Sequence, residues 1–83
     1  MTLDEQLIHF DRKAEQAYAR CLRDFKQRKE RIILTARERL IAGFAVYEGE
    51  GYKWDYQRLH AAELEEYSDG VNYRLFKMYQ GWQ

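Results

Sequence analysis

Apolar residues recur every three or four positions along most of the chain, which is the spacing of one face of an α-helix. The first series comprises Leu3, Leu7, Phe10, Ala14, Tyr18, Cys21, Leu22 and Phe25. After a polar gap, the second comprises Ile32, Ile33, Ala36, Leu40, Phe44 and Tyr47. The third comprises Ala61, Leu64, Ser68, Val71, Leu75, Met78 and Trp82. Because no segment alternates with a period of two for long enough to form a sheet, the pattern predicts an all-α fold.

Local signals mark where the helices begin. Thr2 and Glu5 have the spacing of a capping box, in which each side chain accepts a hydrogen bond from the other's backbone amide. Asp55 is a good N-cap residue, so the last helix is predicted to run from Tyr56 to about Tyr79.

Residues 3–48 contain no helix breaker except Gly43, and Gly49 is expected to end the helix in a left-handed conformation. A single helix over this range would be roughly 69 Å long, whereas a compact chain of this size has a radius of gyration near ~12 Å. Either the helix bends near residues 26–35, or it stays straight and a second subunit covers it; we favour the bend. We therefore predict one domain over residues 1–83, a small helical bundle whose long N-terminal helix packs antiparallel on the C-terminal helix.

The composition argues against several classes of protein. A single cysteine cannot build an internal disulfide framework, and no apolar run approaches the ~18–20 residues of a membrane span. The opening residues 1–6 lack the basic and then apolar layout of a signal peptide. We expect a cytoplasmic protein that does not bind membranes.

The charges are balanced overall but separated along the chain. Residues 1–40 hold ten bases and seven acids, whereas residues 41–83 hold four bases and seven acids. The basic stretch, residues 20–31, has six bases, and the acidic stretch, residues 63–69, has four acids. We expect these stretches to face each other within the fold or across a dimer. The neutral total argues against a nucleic-acid partner.

Aromatic residues are concentrated in the second half of the chain, where ten of the thirteen lie. Large, rigid aromatic side chains with a polar group anchor many protein interfaces, although they also stack on nucleotides or cap the end of a small core. The third helix is apolar on more than one side, which favours an oligomer or a bound partner. The residues that we predict to bind a protein partner are Tyr47, Tyr52, Trp54, Tyr56 and Tyr73.

Three carboxylates, Glu63, Glu66 and Asp69, lie one helical turn apart in the acidic stretch. Carboxylates spaced in this way can bind Mg²⁺ or Mn²⁺, and the metal can in turn hold the phosphates of a nucleotide. The alternative, which we favour, is a solvated acidic face or one that pairs with the basic stretch. On that interpretation the protein has no catalytic residue and needs no cofactor.

Residues 39–78 resemble short phage-encoded proteins that combine a helix ending in a tyrosine and glycine with a second helix containing paired glutamates, an aspartate and a tyrosine. Those proteins are in turn similar to the MazG-like all-α nucleoside triphosphate pyrophosphohydrolases. In that superfamily an ExxD motif joins an EExxE motif on the preceding helix to bind Mg²⁺. Glu66 and Asp69 match the first motif, while Glu30, Glu38 and Glu48 do not form the second.

Taken together, these features favour a small helical protein-binding module that forms a homo-oligomer. One instance of such a module is an inhibitor of a host defence system; the resemblance implies that it is encoded by a phage, which would place it in the host cytoplasm. Two alternatives stay open. One is a MazG-like pyrophosphohydrolase whose Mg²⁺ site is completed across a dimer, and the other is a non-catalytic nucleotide-binding sponge.

Overall fold

Three α-helices make up most of the protein in the computed structural model, which describes residues 1–82. Helix α1 spans Leu3–Gln27, α2 spans Lys29–Tyr47 and α3 spans Tyr56–Tyr79. A short 3-10 helix, Glu50–Lys53, lies between α2 and α3. Residues 1–82 contain no strand, and the prediction of an all-α fold is confirmed.

The starts of α1 and α3 follow from their caps. The Thr2 hydroxyl accepts from the amide of Glu5, and the Glu5 carboxylate accepts from the amide of Thr2, both at 3.2 Å. At α3 the Asp55 carboxylate accepts from the amide of Arg58 at 2.8 Å. Each cap satisfies backbone amides that have no partner inside the helix, so both helices begin where the sequence predicts.

The long N-terminal helix is bent at Arg28, inside the predicted range. This residue leaves the helical region, with φ −107° and ψ 24°, and separates α1 from α2. The hydrogen bonding is nonetheless almost continuous, since the Arg28 amide donates to Asp24 and the Ile32 amide donates to Arg28. The bend therefore redirects the chain without a loop.

Helix α2 ends in two consecutive left-handed residues, Glu48 with φ 50° and Gly49 with φ 75°. The amide of Glu48 still donates to the carbonyl of Phe44 at 3.0 Å. Glycine has no Cβ and tolerates this backbone region, as predicted for Gly49, whereas a residue such as glutamate adopts it at a cost of about 1–2 kcal/mol.

Helix α1 packs against the second half of α3. A ring nitrogen of His9 lies 3.3 Å from the carbonyl of Leu75, and the thiol of Cys21 points at the carbonyl of Gly70 from 3.7 Å. These two contacts run in opposite order along the helices, as in an antiparallel pair, and a third contact, between Asp24 and Arg74, joins the last turn of α1 to the same part of α3. The contacts of His9 and Cys21 are twelve residues apart on α1 but only five residues apart on α3, so the helices cross instead of lying alongside each other.

The core formed by this crossing is very small. Among the described apolar residues, Ala17 and Leu75 are buried, with 0% and 4% exposure. The face of α1 at the crossing carries Ala17 and Cys21, whose small side chains allow close approach. Most of the predicted apolar stripe of α1 is nonetheless exposed, including Leu3, Leu7, Phe10, Tyr18, Leu22 and Phe25.

Helix α2 extends away from this crossing, and none of its side chains is buried. The described chain has an accessible surface of 7783 Å², whereas a compact monomer of its mass exposes about 5,300 Å². Its radius of gyration is 15.7 Å, compared with ~12 Å for a compact chain. A single copy thus leaves much of its apolar surface in water.

None of the helices in residues 1–82 is long and apolar enough to cross a membrane.

Candidate protein-binding surface

The segment from Tyr47 to Tyr56, here called the aromatic loop, is held in shape by its own backbone. The amide of Tyr52 donates to the carbonyl of Gly49 at 3.1 Å, and the amide of Trp54 donates to that of Gly51 at 3.2 Å. The left-handed Gly49 and the Asp55 cap fix the two ends of the segment. Side chains on this loop are therefore presented from an ordered backbone.

Three tyrosines of the aromatic loop project into solvent. Tyr47 is 65% exposed, Tyr52 is 84% exposed and Tyr56 is 77% exposed. The ring of Tyr56 also stacks on that of His60, with centroids 5.6 Å apart and planes 7° apart. Because an exposed aromatic ring gains apolar contact only when a partner covers it, these three residues form a surface suited to binding.

Trp54 differs from its neighbours because it is half-buried. The guanidinium carbon of Arg58 lies 3.8 Å from the centre of the indole ring, within the range of a cation–π interaction. Its indole nitrogen Nε1 is buried and has no hydrogen-bond partner among the described residues. Trp54 is therefore more enclosed than Tyr52, the most exposed of the predicted partner-binding residues.

An apolar groove of about 810 Å³ runs between the aromatic loop and α2. Leu40, Phe44 and Tyr47 line it from α2, while Tyr52 and Leu59 line it from the other side. The groove joins the exposed tyrosines to the exposed apolar side chains of α2. It makes the candidate surface larger than the predicted aromatic cluster.

Tyr73 lies apart from the other predicted partner-binding residues. It is exposed near the end of α3, where its ring meets the ring of Phe76 edge to face at 6.3 Å. Seventeen residues of helix separate it from Tyr56, which is about 25 Å at 1.5 Å per residue. The structure therefore brings Tyr47, Tyr52 and Tyr56 to one end of the molecule and places Tyr73 elsewhere.

The three carboxylates of the alternative metal site, Glu63, Glu66 and Asp69, are exposed on α3. Within residues 1–82, no group of three or more His, Cys, Asp or Glu side chains is close enough together to hold a metal ion. In the same part of the chain, no ion pair joins the acidic stretch to the basic stretch. The basic stretch nonetheless lies close to the end of the acidic stretch, since the thiol of Cys21 points at the carbonyl of Gly70.

The described ion pair instead joins the basic stretch to a different part of α3. The guanidinium of Arg74 donates to the carboxylate of Asp24, near the bend between α1 and α2. This hydrogen bond, together with the positive charges of Arg74, Arg28 and Arg23, lowers the pKa of Asp24 below its ordinary value of 3.8. The pair fixes the end of α1 onto α3 and helps to position the bend.

Comparisons of the chain with protein-family models, with curated proteins and with solved structures give no match.

The apolar face of α2 belongs to the candidate surface, although it was not predicted to do so. That face consists of Ile33, Ala36, Leu40, Phe44 and Tyr47, here called the α2 stripe. The spacing of these residues by three or four positions predicted that they are buried within the bundle. A helical period identifies an apolar face, but it does not identify what covers that face. A second signal was present, since Leu34, Ile41 and Val46 make α2 apolar on other sides as well. A helix of this kind is usually covered by more than one neighbour.

Proposed function

We propose that this protein is a small helical protein-binding module whose aromatic loop binds a surface of another protein. The observation that carries the proposal is the exposure of Tyr47, Tyr52 and Tyr56 on an ordered loop. A loop that is already ordered loses little conformational entropy on binding, and tyrosines lose little because they have few rotatable bonds. Such residues often dominate the free energy of protein association.

As part of the same proposal, the protein acts by covering its target instead of transforming a substrate. An inhibitor encoded by a phage, bound to a protein of a host defence system in the host cytoplasm, would work in this way. The loop and groove support the binding role, while the phage origin rests on the resemblance of residues 39–78 alone.

Capture experiments with matched variants test the aromatic loop. The wild-type protein, Tyr52→Ala and Tyr18→Ala would each be immobilised and exposed to a lysate of the source organism, or of its host if the source is a phage. Tyr18 is the control because it is an exposed tyrosine of α1 outside the loop. We expect quantitative mass spectrometry to find a protein that wild type and Tyr18→Ala retain and Tyr52→Ala does not.

The binding of that protein would then be measured with purified components. Loss of a buried tyrosine anchor should weaken the affinity by about 2 kcal/mol or more, roughly thirtyfold. The melting temperature of Tyr52→Ala should match that of wild type, whereas Trp54→Ala should lower it, because the indole packs under Arg58. Equal capture by Tyr52→Ala and Tyr18→Ala would show that the loop is not the binding site.

A further inference from the structure

We propose that two copies of this chain pair through their α2 stripes, with the two α2 helices antiparallel and Leu40 on the twofold axis. The proposal rests on the proposed function only in treating the exposed apolar surface as a binding surface. It assigns α2, including Tyr47, to a second copy and leaves Tyr52 and Tyr56 of the aromatic loop to a different protein.

One copy of the chain exposes a large surface that a partner could cover. The described residues expose 7783 Å², about 2,500 Å² more than a compact monomer of this mass. Standard-size interfaces cover about 800 Å² on each partner, whereas obligate homodimers bury about 1,000–2,500 Å² or more on each. A second copy bound over α2 and the adjoining groove would cover part of this excess.

The composition of α2 also favours a partner for this helix. The helix is apolar on several sides, yet no side chain on it is buried in a single copy. The two grooves described on this part of the chain both open along the α2 stripe. Ile33 borders one with Phe25, and Leu40, Phe44 and Tyr47 border the other. A helix laid along the stripe would cover both grooves at once.

The α2 stripe is symmetric about Leu40. Ala36 and Phe44 lie four residues before and after Leu40, and Ile33 and Tyr47 lie seven residues before and after it. When two such helices run antiparallel with Leu40 facing Leu40, Ala36 of each faces Phe44 of the other. Ile33 of each then faces Tyr47 of the other. A small side chain thus meets a large one, and the contact is the same from both sides, as a twofold interface requires.

The charges at the two ends of α2 favour the antiparallel direction. Lys29 and Arg31 lie at the start of α2, and Glu48 and Glu50 lie just after its end. In the proposed register Lys29, which lies on the same side of α2 as the stripe, comes near the end of the second copy's α2, where Glu48 and Glu50 lie. A parallel pair would instead place Lys29 beside Lys29 and Glu48 beside Glu48, which is unfavourable.

Cysteine crosslinking tests both the pairing and its register. In a Cys21→Ser background, Leu40→Cys would be compared with Ile41→Cys after mild oxidation. These positions are matched, since Leu40 is 59% exposed and Ile41 is 58% exposed in one copy. Only position 40 lies on the proposed axis, because the next residue is rotated by about 100° around the helix. We expect at least tenfold more disulfide-linked dimer from Leu40→Cys.

A mixing experiment fixes the direction of the helices. Ile33→Cys and Tyr47→Cys should each crosslink poorly alone and well when the two proteins are mixed, because these positions face each other only in an antiparallel pair. Circular dichroism would confirm that each variant keeps its helix content. Strong crosslinking of Ile33→Cys with itself would indicate a parallel pair and would overturn the proposal.

Sedimentation equilibrium of the wild-type chain supplies a readout that needs no substitution. We expect a species of twice the chain mass of 10.1 kDa at micromolar concentration, and we expect Leu40→Glu to shift it to the monomer because it places two carboxylates at the axis. A wild-type monomer at this concentration, or equal crosslinking at positions 40 and 41, would overturn the pairing. Either result would leave the proposed function standing, since Tyr52→Ala tests that separately.

Discussion

Two glycines inside helices, Gly43 in α2 and Gly70 in α3, allow a prediction with an internal comparison. Glycine destabilises a helix interior by about 1 kcal/mol relative to alanine. A Cβ added at Gly70 would meet nothing within 4 Å, and one at Gly43 would meet only a ring carbon of Tyr47 at 3.9 Å. Within a single copy, therefore, neither alanine would create a clash.

We expect Gly70→Ala to stabilise the protein by about 1 kcal/mol, which for a domain of this size raises the melting temperature by about 4–8 °C. Gly43→Ala should gain clearly less or should lose stability. In the proposed dimer Gly43 borders the α2 stripe, close to the contact between the two helices. An added methyl group would then occupy space that the second copy needs.

The assay is thermal unfolding followed by far-ultraviolet circular dichroism, with wild type and both variants at the same micromolar concentration. Repeating it after dilution separates the two effects, because the penalty at Gly43 should disappear as the dimer dissociates. Equal gains for the two variants at every concentration would refute the reasoning that a second helix lies over Gly43.

Three further predictions follow from the described contacts. Leu75→Ala should cost about 2–5 kcal/mol in urea denaturation, because it empties the centre of the crossing, and a loss below 0.5 kcal/mol would show that the crossing is not the core. The lowered pKa of Asp24 means that its pair with Arg74 stabilises the fold above pH 3.8 and that this contribution is lost as the pH falls through the lower, folded-state pKa. Asp24→Asn should therefore lose stability at neutral pH and show a shallower acid dependence than wild type, and parallel pH profiles would contradict this. Millimolar Mg²⁺ or Mn²⁺ should not raise the melting temperature, and Asp69→Asn should change it only modestly. Saturable stabilisation by metal, together with pyrophosphate release from a nucleoside triphosphate, would instead support the hydrolase alternative.

Features that depend on near neighbours in sequence could be predicted well. The capping box at Thr2, the N-cap at Asp55, the left-handed Gly49 and the limits of α3 each follow from residues within a few positions of one another. The bend at Arg28 could be placed only within a range, because no residue there breaks a helix and length alone argued for a bend.

Features that depend on distant neighbours could not be predicted in the same way. The basic stretch was expected to meet the acidic stretch within the fold or across a dimer, whereas the ion pair described within one copy connects Asp24 with Arg74, which was not predicted. Trp54 was grouped with the exposed tyrosines, although Arg58, one turn into α3, covers its ring. In both cases the partner depends on how helices cross or on how a loop closes, and residue types alone do not specify that geometry.

The order in which the crossing partners are synthesised has a consequence for the newly made chain. Ala17 emerges early from the ribosome, but the residues of α3 that cover it lie more than fifty positions later. At 5–20 residues per second, α1 waits roughly 2–10 s for them. During that time α1 and then α2 are completed as sequence, and neither has α3 to pack against. Translation that stops before about residue 70 would release two long amphipathic segments without a core, so shortened products of this gene should be especially prone to aggregation and proteolysis.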